Sequence, residues 1–270
     1  MSPRVDGKRK RDSDSDFDSD GSEQAEERAE HHYMMRVNDD FDAGRYQVVE
    51  QLGKGTFGRV VEMYDREEKR AVAVKVVRAV EKYAKEAEIE ADILRELQRT
   101  LPGEEVDGAT RFPIGRLYRT FESRGHVCLV FEKLGPSLYH GLKATRDAAR
   151  REAGRDGSRG GAGCYFSLAR IAAIAADSFD ALAHMHAVRL AHTDLKPENI
   201  LFNEAPPPGA ALPASYDVSL IDFGGATWED EHHSSIVCTR QYAEITLHIV
   251  SRRGLPMMAG TFLIGTGRPR

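Results

Sequence analysis

The chain has 270 residues, 41% of them hydrophobic, with 38 Lys/Arg against 43 Asp/Glu for a net charge of −5. That length allows a sizeable core in one or two domains, while three scattered cysteines (Cys128, Cys164 and Cys238) exclude a disulfide framework or a Cys-x-x-Cys metal site. The charge is uneven: residues 1–44 hold 7 Lys/Arg against 13 Asp/Glu and the remainder 31 against 30, so net charge gives no ground for general nucleic-acid binding by the body.

Residues 1–44 read as a disordered tail. A basic cluster, Lys8 to Arg11, suits nuclear import or a plain solvated charge run, and Ser13, Ser15 and Ser19 follow among aspartates with almost no apolar residues to build a core. The tail lacks the apolar stretch of a secretory signal. The most apolar helix-like run, around Leu168 to Val188, is interrupted by Arg170, Asp177 and Asp180. The expectation is a soluble protein of a reducing compartment, nuclear and/or cytoplasmic, with no membrane partner.

From Arg45 the pattern becomes periodic. Tyr46–Leu52 reads as a strand, Gly53–Gly58 as a turn, Arg59–Tyr64 as a second strand, Asp65–Lys69 as a turn and Val72–Val77 as a third strand. Residues 84–98 read as a helix, with Ala87, Ala91, Leu94 and Leu97 on one stripe. Val127–Phe131 is a buried-strand candidate followed by a short connector. Thr145–Gly163 reads as an insertion after a short helix. Ile171, Ala175, Phe179, Leu182 and Met185 mark a long amphipathic helix. Asn203–Ser215, with three consecutive prolines, reads as a second insertion at a hairpin before Val218–Ile221. A small antiparallel sheet with one helix, then a hinge, then mostly helical sequence makes an α+β body of two lobes.

Three groups of residues carry chemistry. Gly53-Lys54-Gly55-Thr56-Phe57-Gly58-Arg59-Val60 has glycines where backbone N–H groups could approach phosphates and a Cβ would collide. A dinucleotide-binding turn shares the glycine spacing but needs a helix directly afterwards, whereas here the chain alternates like a strand. Lys75, on the third strand, is placed to reach α- and β-phosphates. Glu86, Glu88 and Glu90 compete to be its partner, and Glu90 is preferred because Leu94 and Leu97 share its inward stripe, with Glu86 the runner-up.

The third group is His192-Thr193-Asp194-Leu195-Lys196-Pro197-Glu198-Asn199, followed by Asp222-Phe223-Gly224. Phosphoryl transfer calls for such a set. Asp194 would orient the attacking hydroxyl, Lys196 would neutralise developing charge, and Asn199 and Asp222 would supply oxygen ligands to Mg²⁺. Taken singly, each is an ordinary loop residue; their order and spacing make the pattern specific. His31-His32 and His232-His233 lack partners at zinc-finger spacing, so structural zinc is not expected.

These residues resemble the protein kinase family, and within it the Clk/LAMMER group of dual-specificity kinases. The closer resemblance lies in His192–Asn199, in Phe131-Glu132-Lys133-Leu134-Gly135-Pro136-Ser137-Leu138-Tyr139 and in Glu231–Val237. It implies ATP and Mg²⁺ as cofactors and Ser/Thr or Tyr of protein substrates as acceptors, Arg-Ser-rich splicing factors among them. It also implies Phe131 as gatekeeper and Glu132–Leu134 as the adenine-binding hinge. Val60, Ala73 and Leu201 would lie against the base, and the segment from Leu52 through Gly58 would lie over the nucleotide. Most of the family has Arg before the catalytic Asp to read a loop phosphate; Thr193 implies activity that does not wait for that phosphate.

The resemblance extends from Tyr46 to Tyr242. It implies a tail at 1–44, an N-lobe at 45–131, a hinge and partial C-lobe at 132–242 and an unrelated segment at 243–270. The family's Ala-Pro-Glu anchor and later helices do not follow Tyr242. A retained intron, a shifted frame, a truncated gene model and a short isoform all remain open for the last segment. The alternative function is a catalytically inactive fragment that binds ATP or a partner.

Overall fold

The computed structural model describes residues 35–101, 112–156 and 166–229. The basic cluster, the serine–aspartate repeats and the segment after Glu229 lie outside these residues. So do residues 157–163 of the first expected insertion.

An antiparallel sheet of six strands holds the first half of the chain, in spatial order β1-β2-β3-β4-β6-β5. The strands are β1 (Asp40–Phe41), β2 (Tyr46–Gly55), β3 (Gly58–Asp65), β4 (Arg70–Val77), β5 (Leu117–Ser123) and β6 (His126–Glu132). Alternation decides what each face does. Val61 and Met63 on β3 and Val72, Val74 and Val76 on β4 are buried in one cluster with Tyr46, Val48, Cys128 and Val130. The intervening Val60, Ala73 and Lys75 point to the opposite face. Burial raises the Cys128 thiol to about 12, which leaves it an inert apolar side chain.

The expected tail proves too long. Residues 38–44 belong to the folded body: β1 pairs with β2, Asp40 opposite Gln47 and Phe41 opposite Tyr46. Phe41 is only 1% exposed in the β-sheet cluster. One apolar residue between charged neighbours is no periodic signal, so this strand becomes evident only when the sheet needs its edge covered. Strand β5, also unexpected, is an edge strand on which Leu117 alone is fully buried. Its mixed composition follows from that position.

Helix α1 (Glu81–Arg99) buries Ala87, Glu90, Ala91, Ile93, Leu94 and Leu97, which contains the predicted stripe. Helix α2 (Leu138–Asp156) is a full 19-residue element rather than a short one, and it runs through the first part of the expected insertion. Helix α3 (Leu168–Ala187) begins at Ser167, whose hydroxyl accepts from the Arg170 N–H. Its expected stripe divides in two. Leu182 and Met185 are buried with Ile174 and Ala181, whereas Ile171 and Phe179 are 48% and 64% exposed. At 100° per residue Ile171 shares the face of Leu182 and Met185 but lies one turn before the first buried residue, Ile174, whereas Phe179 is about 80° round from it; spacing alone could not say how far along the helix, or how wide, the packed surface runs.

Short strands β7 (Leu190–Ala191), β8 (Ile200–Phe202), β9 (Val218–Leu220) and β10 (Thr227–Trp228) form two small two-stranded sheets, β8 with β9 and β7 with β10. The loop between β8 and β9 carries the proline-rich segment, closed at its base by an Asn203 N–H bond to the Asp217 carbonyl. A second core joins both halves of the molecule: Leu94 and Leu97 of α1, Leu129 of β6, Leu182 and Met185 of α3, Leu190, Leu220 and Phe223. This core aligns the loops that follow α3 and β9 with the open face of the large sheet.

Candidate active site

Four local structures bring the site together: the β2–β3 turn, β4 with α1, the loop between β7 and β8, and the loop after β9. In the first, Gly55 pairs with Gly58, leaving Thr56 and Phe57 at the tip. Gly58 is glycine because a Cβ there would lie 2.3 Å from the Val76 carbonyl oxygen. At Gly53 and Gly55 a Cβ would meet nothing within 4 Å. Protein packing does not require glycine at these two positions; approach by a ligand would. Lys54, Thr56 and Phe57 are exposed, as is Leu52. Phe57 stands edge-on to Tyr83 of α1 at 5.5 Å between ring centres, and its carbonyl accepts from the Arg78 N–H. Tyr83 was not singled out in the sequence, because no motif marks it; only the fold sets it against the turn.

Lys75 extends from β4 toward α1 and donates to Glu90 Oε2 at 2.7 Å. Its Nζ also lies 3.6 Å from Asp222 Oδ1. Of the three candidate glutamates, Glu90 is therefore the partner, 3% exposed on the predicted stripe, while Glu86 faces Lys82 at 3.9 Å on the outside of the helix. Burial works against the charge on Lys75, but the carboxylates of Glu90 and Asp222 outweigh it and raise its proton affinity. Burial also raises Glu90, with Lys75 opposing.

Val60 lies opposite Lys75 in the β3–β4 register, and Ala73 lies opposite Phe131 between β4 and β6. Val60, Ala73, Phe131, Glu132 and Leu201 are half-buried, and Leu134 is buried. Leu201, on β8, is bridged to Ser137 just beyond the connector. These apolar groups thus come from both halves of the molecule. The Lys133 ammonium meets Glu62 at 3.2 Å, tying the connector to β3.

Asp194 Oδ2 accepts from Lys196 Nζ at 2.6 Å and from Asn199 Nδ2 at 3.1 Å. Asn199 Nδ2 also donates to the Asp194 carbonyl at 2.9 Å. With its amide nitrogen so engaged, Asn199 offers its oxygen to a cation. The Asn199 carbonyl accepts from the Ile221 N–H at 3.0 Å, placing Asp222 next in line with φ +65°. The oxygens of Asn199 and Asp222, with the ammonium groups of Lys75 and Lys196 nearby, suit a hard divalent ion bound to phosphates better than a soft metal.

His192 is buried under the loop. Its Nε2 lies 3.1 Å from the Ile221 carbonyl and its Nδ1 takes the Asp194 N–H at 3.4 Å. That pair of bonds fits the neutral ring, and burial lowers its proton affinity. Among the site residues singled out in the sequence, the structure brings Lys75 to Glu90 and Asp222, and Lys196 and Asn199 to Asp194, with the two loops joined through Asn199 and Ile221.

Comparison with known proteins agrees with this geometry. Residues 46–245 match the protein kinase domain family. The Arabidopsis thaliana serine/threonine-protein kinase AFC3 is 36% identical over 225 residues, covering 78% of this chain and 50% of that protein. The mouse dual specificity protein kinase CLK1 is 35% identical over 231 residues, covering 82% and 43%. A crystallised kinase domain superposes with a TM-score of 0.62 at 30% identity, over 78% of this chain and 60% of that one. The chain spans about half the length of the curated relatives it matches. With motifs, fold and family match in agreement over the same residues, this chain belongs to the protein kinase family, alongside the AFC and CLK kinases.

Proposed function

We propose that the protein transfers the γ-phosphoryl group of ATP to Ser or Thr hydroxyls of protein substrates, with Tyr and Arg-Ser-rich splicing factors as the further acceptors that the CLK likeness suggests. The observation that supports this reading is that Lys75 meets Glu90 and Asp222 while Lys196 and Asn199 meet Asp194, with a backbone bond from Ile221 to Asn199 joining the two loops beside the cleft these groups would share. Bound Mg²⁺ would neutralise phosphate charge between Asn199 and Asp222. The residues of the chain do the rest. Lys75, held by Glu90, anchors the non-transferred phosphates. Asp194, its carboxylate set by Lys196 and Asn199, accepts the hydroxyl proton as the hydroxyl oxygen bonds to the γ-phosphorus and the bond to the β-phosphate oxygen breaks. Lys196 offsets charge on the transferred group. Val60, Ala73, Leu201 and Phe131 would hold the base, Glu132 and Leu134 would line the connector beside it, and the turn from Leu52 to Gly58 would cover the phosphates.

On the same reading the small lobe runs to Phe131, with its start moved back to about residue 38, and the large lobe begins at the connector. The test uses residues 1–270 with Mg²⁺, ATP and an Arg-Ser peptide. Phosphate incorporation is expected, falling by about 10²–10⁴-fold in Asp194→Ala and Lys75→Met. Undiminished transfer by either variant overturns the site. A second reading, nucleotide or partner binding without turnover, is favoured by the apolar surface that Ile171 and Phe179 leave on α3. ATP binding with no transfer by the wild-type chain would establish it.

A further inference from the structure

We infer that Thr193 is a positioning residue, its hydroxyl tying the loop that carries Asp194 to the loop that carries Asp222. This rests on the kinase reading of the same cleft. Thr193 Oγ1 donates to the Gly225 carbonyl at 2.6 Å, across 32 residues of chain. Thr193 is buried, so the bond is made away from bulk water. Its φ is +64°, a backbone region that β-branched residues rarely enter. Such a conformation persists where surrounding contacts over-determine it, and strain of this kind gathers at functional sites.

The contact is fitted from the other side as well. A Cβ at Gly225 would stand 3.0 Å from Thr193 Oγ1, so a glycine there leaves room for the hydroxyl. Thr193 directly precedes Asp194, and Gly225 lies three residues beyond Asp222, which also has a positive φ of +65°. Two other bonds join the same loops, from His192 to the Ile221 carbonyl and from the Ile221 N–H to the Asn199 carbonyl. Both lie on the N-terminal side of Asp222. The Thr193 bond lies on its C-terminal side, between Phe223, which is buried in the second core, and β10, which pairs with β7 two residues beyond Gly225. Those contacts hold the ends of the segment, and the Thr193 bond fixes the path of the turn between them. Without it the turn from Gly224 to Ala226 would loosen between these supports, and the metal-facing carboxylate of Asp222 would lose part of its fixed position relative to Asp194 and Asn199.

The test compares wild type, Thr193→Val, Thr193→Ser and Gly225→Ala in the full chain. It measures kcat, the Mg²⁺ concentration for half-maximal rate, and Mn²⁺ affinity in the presence of a non-hydrolysable ATP analogue, read by electron paramagnetic resonance. Thr193→Val is close in shape but has no hydroxyl. It is expected to raise the metal requirement and weaken Mn²⁺ binding by about 2- to 10-fold, the worth of one hydrogen bond, with a matching fall in kcat. Thr193→Ser recovers most of that loss. Gly225→Ala, which presses on the hydroxyl rather than removing it, moves metal affinity in the same direction and stands in should Thr193→Val fail to fold.

Metal affinity unchanged in Thr193→Val and Gly225→Ala, with only thermal stability lowered, overturns the inference. So does a Thr193→Ser variant as impaired as Thr193→Val. If the wild-type chain binds nucleotide but transfers no phosphate, the kinase reading fails, and Mn²⁺ affinity still decides the role of Thr193.

Discussion

Glu90 and His192 are buried polar side chains with opposite requirements. Glu90 is held in apolar surroundings by Lys75, and removing the carboxylate would leave an ammonium facing Asp222 alone. His192 is accommodated as a neutral ring between the Ile221 carbonyl and the Asp194 N–H, and burial lowers its proton affinity although Asp194 and Asp222 act to raise it. The sign of the pH effect follows. Below the usual imidazole value of about 6.5 the unfolded chain takes up a proton that the folded chain resists, so the unfolded state binds more protons. Stability is therefore expected to fall as pH drops from about 6.5 toward the lowered native value. Urea midpoints between pH 7.5 and 5.5 would show it, and His192→Phe should flatten that part of the profile. An unchanged slope in the variant would assign the acid sensitivity to other groups.

Helix α1 is the element that relates the glycine-rich β2–β3 turn to Lys75 and to α3. Its first turns carry Tyr83, which meets Phe57 edge-on while Arg78 lies over the Tyr83 ring at 5.3 Å. Its middle carries Glu90. Its last turn reaches α3, where His184 Nε2 lies 3.2 Å from the Leu97 carbonyl and 3.3 Å from the Thr100 hydroxyl. A shift of α1 would thus disturb the turn and the Lys75 ion pair together. Tyr83→Ala is expected to raise KM for ATP about 2- to 10-fold, the worth of an aromatic pair, while Tyr83→Phe retains the contact and stays near wild type. An unaltered KM in Tyr83→Ala would mean that the turn is held by its backbone bonds alone. The β-hairpin itself was legible from its alternation and glycines, but Tyr83 was not, since an aromatic residue near a helix start has no distinctive pattern.

Across the whole molecule, one core lies on the outer face of the large sheet and another spans the sheet, α1, α3 and the Asp222 loop. Helix α3 contributes Ala181, Leu182 and Met185 to that core and leaves Leu168 and Ile171 of its first turn, and Phe179 on its flank, exposed. Among the described helices none is long and apolar enough to cross a membrane. Phe179→Ser is expected to change unfolding free energy by no more than about 0.5 kcal/mol, as at an exposed position, while reducing self-association in size-exclusion chromatography. A loss of several kcal/mol would show instead that this face is covered in solution.

The sequence by itself determined the family, which the order of its motifs along the chain identifies. Glycines before a strand, Lys75, Asp194 with Lys196 and Asn199, and then Asp222 are specific because their order and spacing, and not any one residue, make the pattern. It also determined that Glu90 shares a face with Leu94 and Leu97, because helical period is a local property. Only the tertiary structure decided that Phe41 extends the folded body to β1, that β5 forms an edge, and that α3 packs through Ile174 and Ala181 rather than through Ile171 and Phe179. It alone paired Thr193 with Gly225 and Phe57 with Tyr83. Each of these depends on which surfaces meet across long stretches of chain, and residue type and spacing do not encode a partner that folding has yet to bring close.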